Sequence, residues 1–466
     1  MRSTPIPCGF RRRALATLLA PMFLLVACIE PGPVPEEIPP APPRPHDTRT
    51  FSIPDGQAAF EPLEGATAFH GVGEGIHGPA SYRIEVPENW NGVLVMYAHG
   101  YRGTGDQLTV GNPALRGYLI DNGFAWAASS YSANYYDVRA GVEDTNALAL
   151  AFQEITGHPA PTKYYITGHS MGGHVTGAAI EEETLATALH RVRYAGAVPM
   201  CGVMGDNELY DYFLAYNLAA HHLAGMPVAT FPIPDHEEKL PAIRAALWED
   251  YAADMAAMTD QGEPLWYALM HLSGGPRPIF EGSFPNFQDL LLGYGTMDGA
   301  WRGVLSGVSV NTTGIVYQLD ADPALSEAER AFNEAIFRVE GDLESANPIR
   351  PDGVRALPIV AGRFDIPVVS IHTLGDLFVP FRVQQLYAER AAANGNADRL
   401  VQRAIRGPAH CGFDVQEEIA AFEAMVHWEE DGVRPTGDDV LDPEVVAEPR
   451  YGCQFTVATR PGLPAC

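Results

Sequence analysis

The chain has 466 residues, 46% of them hydrophobic and 19% charged, which is enough apolar material for packed cores and too little charge for a wholly disordered chain. Thirty Lys and Arg against 58 Asp and Glu give a formal net charge of −28. A surface that acidic repels phosphate backbones, so no nucleic-acid partner is expected.

At the front, Arg2, Arg11, Arg12 and Arg13 precede an apolar or small-residue run over 14–27, interrupted only by Thr17 and Pro21. That is the layout of a secretory signal peptide. The run falls short of the roughly 20 residues a spanning helix needs, and no later segment reaches that length without charge. Its end, Leu25-Val26-Ala27-Cys28, resembles the lipobox of bacterial lipoproteins, in which the peptide is cut before the Cys and the thiol is lipidated. The resemblance implies a lipoprotein signal over 1–27 and lipidation of Cys28. It also implies a bacterial membrane as partner, with the protein facing the periplasm or the cell surface. The alternative is an ordinary signal peptide with an incidental Cys. Residues 28–49 read as a Pro-rich tether, since eight of the fifteen positions 31–45 are Pro and such a segment is extended and coreless.

Beyond the tether, short apolar runs at 92–97, 124–129, 163–167, 194–200, 366–372 and 400–405 read as buried parallel strands. Helical periodicity at 145–155, 172–189, 382–393 and 416–428 alternates with them. The expected architecture is α/β, a mainly parallel sheet flanked by helices. The core is discontinuous, over 50–206 and 360–440. The alternation breaks over 207–359, a stretch holding Tyr210-Asp211-Tyr212-Phe213, Trp248, Trp266-Tyr267 and the aromatics of 284–287. We read it as a mostly helical cap or lid inserted in the sheet's sequence, the alternative being an independent second domain. A tail over 441–466 closes the chain.

The chemistry follows the same order. After the strand at 92–97 comes His99-Gly100-Tyr101-Arg102-Gly103, a loop positioned to offer a backbone N–H, from Tyr101, to a developing oxyanion. Next, Lys163-Tyr164-Tyr165-Ile166-Thr167 leads into Gly168-His169-Ser170-Met171-Gly172 and then a helix. A Ser on such a strand-turn-helix elbow is held above the sheet, and the flanking glycines permit close approach. Ser170 is the candidate nucleophile, and the Met171 amide is the second oxyanion donor. A carboxylate is expected at Asp376, at the end of a strand, with Asp206 as runner-up and a turn or helix-cap role as the bland alternative. Among fifteen His, His410 in Gly407-Pro408-Ala409-His410-Cys411-Gly412-Phe413 is the best base, on a loop between the last strand and a helix. His169 and His174 lie too near Ser170 in the elbow for that role, and His221-His222 read as surface or cap residues.

Four cysteines, Cys201, Cys411, Cys453 and Cys466, remain after Cys8 and Cys28. An even number fits an oxidising compartment. Three pairings are open; Cys453 with Cys466 closes a short loop in the tail and leaves Cys201 with Cys411, free buried thiols being the alternative.

Taken together, the His99-Gly100 loop, the Ser170 elbow, the Asp376 turn and the His410 loop resemble the α/β-hydrolase superfamily over about 80–206 and 359–432. That resemblance implies the α/β-hydrolase fold with a cap after the sixth strand, and a triad in the order Ser170, Asp376, His410. The His410-Cys411 pair resembles that of the feruloyl esterase and tannase group, where a disulfide ties the base's loop to the nucleophile's. In that group a Cys precedes the Ser, whereas this chain has His169.

No HExxH, EF-hand, Walker A or dinucleotide fingerprint is present, so neither metal nor other cofactor is expected. The expected function is an exported serine esterase acting on a small-molecule or polymer-derived ester, the insertion setting specificity more than chemistry. The alternatives are a peptidase or amidase on the same scaffold and a non-catalytic binding lipoprotein.

Overall fold

The computed structural model describes residues 48–296, 304–305, 307–457, 460, 462–463 and 465–466. The expected signal peptide, Cys28 and nearly all of the tether lie outside the described residues.

Eight strands form one sheet in the order β1-β2-β4-β3-β5-β6-β7-β8. They are β1 (Ala66–Gly75), β2 (Gly78–Pro87), β3 (Val93–Ala98), β4 (Ala125–Ser129), β5 (Lys163–His169), β6 (Gly196–Met200), β7 (Val368–Thr373) and β8 (Leu400–Ile405). From β4 to β8 every pairing is parallel. The six expected runs are therefore strands, and β3, β4, β6, β7 and β8 are buried along their whole length, as a sheet covered on both faces demands. Only β1 and β2, an antiparallel hairpin continued antiparallel onto β4, escape the sequence reading. β1 is Gly-rich and largely solvent-facing, so it carries no continuous apolar run.

Four helices precede or punctuate the central strands: α1 (Arg116–Asp121), α2 (Val138–Thr156), α3 (Met171–Ala179) and α4 (Glu182–Thr187). The single helix expected over 172–189 is broken at Glu181, whose carboxylate turns aside to accept the Gly362 and Arg363 amides. Between β6 and β7 lie α5 (Glu208–Leu223), α6 (His236–Leu247), α7 (Glu263–Leu272), α8 (Phe280–Ser283), α9 (Gln288–Gly293), α10 (Glu327–Ala335) and α11 (Leu343–Ala346). α12 (Arg382–Ala393) follows β7, α13 (Val415–Asp431) follows β8, and α14 (Pro443–Val446) lies in the tail.

The long helices carry explicit boundary chemistry. Asp137 caps α2 by accepting the Ala140 amide, and Gly157 ends it in the left-handed region; Asp414 and Glu417 form a capping box on α13, which Gly432 terminates, each cap contributing about 1 kcal/mol. Packing is two-sided. α2 and α3 cover one sheet face and share a core with the insertion, while α1 and α13 cover the other, where Phe422 meets Phe124 and Tyr165 edge-on. Both expected disulfides are formed, Cys201–Cys411 and Cys453–Cys466.

Candidate active site

The site sits at the C-terminal ends of the central strands, where the chain leaves the sheet and its side chains are free to converge. β5 ends at His169 and α3 begins at Met171, so Ser170 alone makes the turn, with φ 59° and ψ −121°. A non-glycine residue held there is strained by about 1–3 kcal/mol. The surroundings impose it: the Ser170 amide donates to Met200 O at 3.0 Å, and the Ser170 carbonyl accepts the first turn of α3 through His174 N at 3.1 Å. The elbow glycines are a spatial necessity. A Cβ on Gly172 would lie 2.0 Å from Ala98 O, and one on Gly168 2.3 Å from Gly172 O.

His410 arrives from the loop between β8 and α13. Its Nε2 accepts from Ser170 Oγ at 2.8 Å, and its Nδ1 donates to Asp376 Oδ2 at 2.6 Å. Asp376 is fully buried, and its Oδ1 accepts the Phe378 and Val379 amides at 3.0 and 2.9 Å. One carboxylate oxygen thus fixes the turn and the other fixes the imidazole. The loop of His410 is tied to the turn of Asp376 as well: Gly375 N donates to Gly407 O at 2.9 Å and Thr373 Oγ1 to Ala409 O at 2.8 Å.

The structure accordingly brings Ser170, Asp376 and His410 into one hydrogen-bonded line. The runner-up acid, Asp206, is elsewhere, paired with Arg390 at 2.7 Å. Each competing histidine has another partner. His174 accepts from Tyr136 OH and donates to Pro358 O. His169 faces Glu418 Oε1 at 3.2 Å. His372, pushed below its ordinary pKa by burial, donates Nε2–H to Val379 O. Of the two readings of His221, surface or cap, the surface one is corrected: it is buried and its Nε2 bonds His236 Nδ1 at 2.9 Å inside the insertion, whose helices pack on one another and on the core of the sheet.

The expected oxyanion loop also lies beside the nucleophile. A Cβ on Gly100 would stand 3.2 Å from Ser170 Cβ and 3.7 Å from Ser170 Oγ, so this backbone passes close beside the Ser170 side chain. Met171 opens α3, and the amide of a first helical residue has no carbonyl within the helix to bond.

A cavity of about 250 Å³ opens at Ser170. Tyr101, Tyr135 and Tyr136 line it from the core, Tyr210, Phe213 and Tyr294 from the insertion. Phe213 and Tyr294 stack at 4.6 Å, Phe378 continues the stack, and the edge of Phe378 meets His410 at 5.2 Å. Tyr135 and Tyr136 were missed in sequence. Their signal is the pair of aromatics just past the C-terminal end of β4, where a parallel sheet places functional side chains. Conversely, Trp248, Trp266 and Phe284, conspicuous in sequence, pack into the core that the insertion shares with α2 and α3: Trp266 packs on Phe280 and Phe284.

The disulfide also reaches the site. Cys201 follows β6, and Cys411 adjoins the base, with both residues at positive φ. Cys201, His410 and Cys411 cluster closely enough to suggest a metal site, but the two sulfurs are bonded to each other and supply no thiolate ligands.

No family model matches the chain. It is similar to an o-phthalyl amidase from Xanthobacter agilis, 24% identical over 411 residues, covering 77% of this chain and 86% of that protein. Among solved structures it is similar to feruloyl esterase B from Aspergillus oryzae, with a TM-score of 0.44 and 15% identity over 77% of this chain and 80% of that one. It is also similar to Pyrococcus horikoshii acylaminoacyl peptidase, with a TM-score of 0.40 and 11% identity over 81% of this chain and 44% of that one. The strand order, the parallel pairing from β4 to β8 and the strained serine between β5 and α3 establish the architecture: the chain has the α/β-hydrolase fold.

Proposed function

We propose that the chain is a serine hydrolase that cleaves carboxylic esters through an acyl-enzyme on Ser170. The observation that carries the reading is the 2.8 Å contact of Ser170 Oγ with His410 Nε2, backed by Asp376 at 2.6 Å. Ser170 Oγ attacks the ester carbonyl carbon while its proton passes to His410 Nε2. Asp376 stabilises the imidazolium without taking the proton. The carbonyl oxygen, negative in the tetrahedral intermediate, is received by the Tyr101 and Met171 amides. Collapse breaks the bond to the leaving alcohol, which takes the proton from His410. Water then repeats the sequence on the acyl-enzyme, releasing the acid and restoring Ser170.

The aromatic cavity supports substrates with a flat, uncharged acyl or alcohol portion, because burying ring surface against Phe213, Tyr294 and Phe378 is favourable. Residues 207–359 would act as a cap. Labelling with a fluorophosphonate and measuring intact mass tests the nucleophile. The wild type should gain one adduct and Ser170→Ala none, with ester turnover lowered at least about a thousandfold; equal labelling of both would refute the assignment.

A second reading, an amidase on the same scaffold, is favoured by the name of the Xanthobacter relative, an o-phthalyl amidase. Faster turnover of nitroanilides than of the matching nitrophenyl esters would select it.

The same proposal places the protein outside the cytoplasm, tethered through lipidated Cys28. The two disulfides support an oxidising compartment. Metabolic incorporation of a clickable palmitate, abolished in Cys28→Ala, tests the anchor.

A further inference from the structure

We infer that Arg277, carried by the insertion, is a positioning residue for the Asp376–His410 pair, so that the insertion builds the acid side of the triad as well as walling the cavity. The inference rests on the serine-hydrolase reading above.

The acid turn, 374–377, is gripped from two sides. On one side lies the base loop, through the Gly375–Gly407 and Thr373–Ala409 bonds. On the other lies the insertion, which contributes three side chains. Arg277 Nε donates to Leu374 O at 2.8 Å, Tyr212 OH donates to Leu377 O at 2.8 Å, and Ser283 packs onto Gly375 so tightly that a Cβ there would lie 2.0 Å from its Oγ. The same hypothetical Cβ would be 2.8 Å from Gly407 O and from Pro408 Cα. Gly375 is thus sandwiched between the insertion and the loop of the base, and a shift of the insertion against it displaces both catalytic partners of Ser170.

Arg277 is the fixed point of this grip. It lies between Pro276 and Pro278, which stiffen its backbone. Its guanidinium is buried and each of its three nitrogens is bonded: Nε on Leu374 O, Nη1 on Gly275 O at 2.9 Å and Nη2 on Ser273 Oγ at 3.1 Å. The segment is anchored in turn to the chain after the acid, through Arg382 N to Ser273 O and Gln385 Nε2 to Gly274 O. Among the described residues no carboxylate is hydrogen-bonded to this guanidinium. Burial lowers its pKa to about 10, and the charge of Asp376 and the phenol of Tyr212 oppose that shift. A buried cation is costly unless its polar contacts are made, and here they are made to Leu374, Gly275 and Ser273. The groups facing the acid are His410, His372, whose Nε2 is 3.8 Å from Asp376 Oδ2, Tyr212 and Arg277.

Arg277→Lys, Arg277→Gln and Tyr212→Phe test the inference, each assayed per folded molecule by near-UV circular dichroism and active-site titration. Both Arg277 variants should lose about tenfold or more in kcat while KM stays within about threefold, because what fails is the alignment of the base. Tyr212→Phe, which removes one hydroxyl and no charge, should lose about threefold in kcat. Arg244→Gln, at an insertion arginine paired with Asp289 away from the site, should keep wild-type kcat. Wild-type kcat in all three variants, or a change in KM alone, overturns the inference. If the Arg277 variants do not fold, Tyr212→Phe decides by the same criterion. A wild type that fails to label with fluorophosphonate overturns the hydrolase reading instead, and is recognised before any variant is made.

Discussion

Cys411 Sγ lies 3.4 Å from His410 Nε2, the ring nitrogen that accepts from Ser170. The disulfide partner, Cys201, directly follows the β6 residue Met200 whose carbonyl holds the Ser170 amide. One covalent link therefore joins the strand end beside Ser170 to the loop of His410, across a separation of 210 residues. Reduction, or the Cys201→Ala/Cys411→Ala pair, should lower kcat about ten- to a hundredfold by loosening that loop. Stability should fall by about 2–4 kcal/mol. Paired kinetic and urea-unfolding measurements before and after phosphine treatment check both effects.

Asp376→Asn should keep the fold, since an amide oxygen can still accept the Phe378 and Val379 amides. It replaces the acceptor of His410 Nδ1–H with a group that no longer stabilises imidazolium. A loss of about 10⁴ in kcat with KM little changed is expected from the same substitution in other triads. Stopped-flow acylation with a nitrophenyl ester measures it.

Gly172→Ala should be far more damaging than its size suggests. The added methyl would come within 2.0 Å of Ala98 O and 2.7 Å of His99 O, both backbone atoms that cannot step aside. Either the elbow opens and activity is lost, or the chain fails to fold. Gly282→Ala, where nothing lies within 4 Å, is the matched control and should retain both activity and melting temperature.

The His221–His236 pair predicts acid sensitivity of the insertion. His221 is held near pKa 4 by burial and by its histidine neighbour, against an ordinary value of 6.5. Between those values the unfolded chain binds a proton that the folded one refuses, so stability is present above about pH 6.5 and is lost as pH falls toward 4. Melting temperature should decline over that window in the wild type and decline less steeply in His221→Gln, as followed by differential scanning calorimetry.

Phe378→Ala should raise KM for aryl esters more than for short alkyl esters, because Phe378 belongs to the stack with Phe213 and Tyr294. Loss of that ring surface should cost about 1–3 kcal/mol of binding. A Michaelis comparison of phenyl and ethyl esters checks the difference.

Much of the architecture was legible in the chain itself. Strands buried on both faces write themselves as continuous apolar runs, so β3 to β8 could be located by hydrophobicity alone. The elbow was equally visible as a Gly-x-Ser-x-Gly turn between a strand and a helix, although the contacts that demand its glycines come largely from Ala98 and His99 on the neighbouring strand end. The β1–β2 hairpin was not, because a half-exposed, Gly-rich edge obeys no such pattern. Nor was the break at Glu181, which depends on amides of Gly362 and Arg363 arriving from about 180 residues away.

The sequence by itself determined which residue types were available for catalysis and where each stood relative to a strand end. That suffices for a nucleophile, an acid and a base, because those positions are local consequences of strand, turn and helix. Only the tertiary structure decided that Asp376 and not Asp206 meets His410, that Tyr135 and Tyr136 join the cavity, and that Arg277 grips the acid turn. Those are meetings between segments distant along the chain, fixed by how the sheet and the insertion pack, and no local pattern of side chains encodes them.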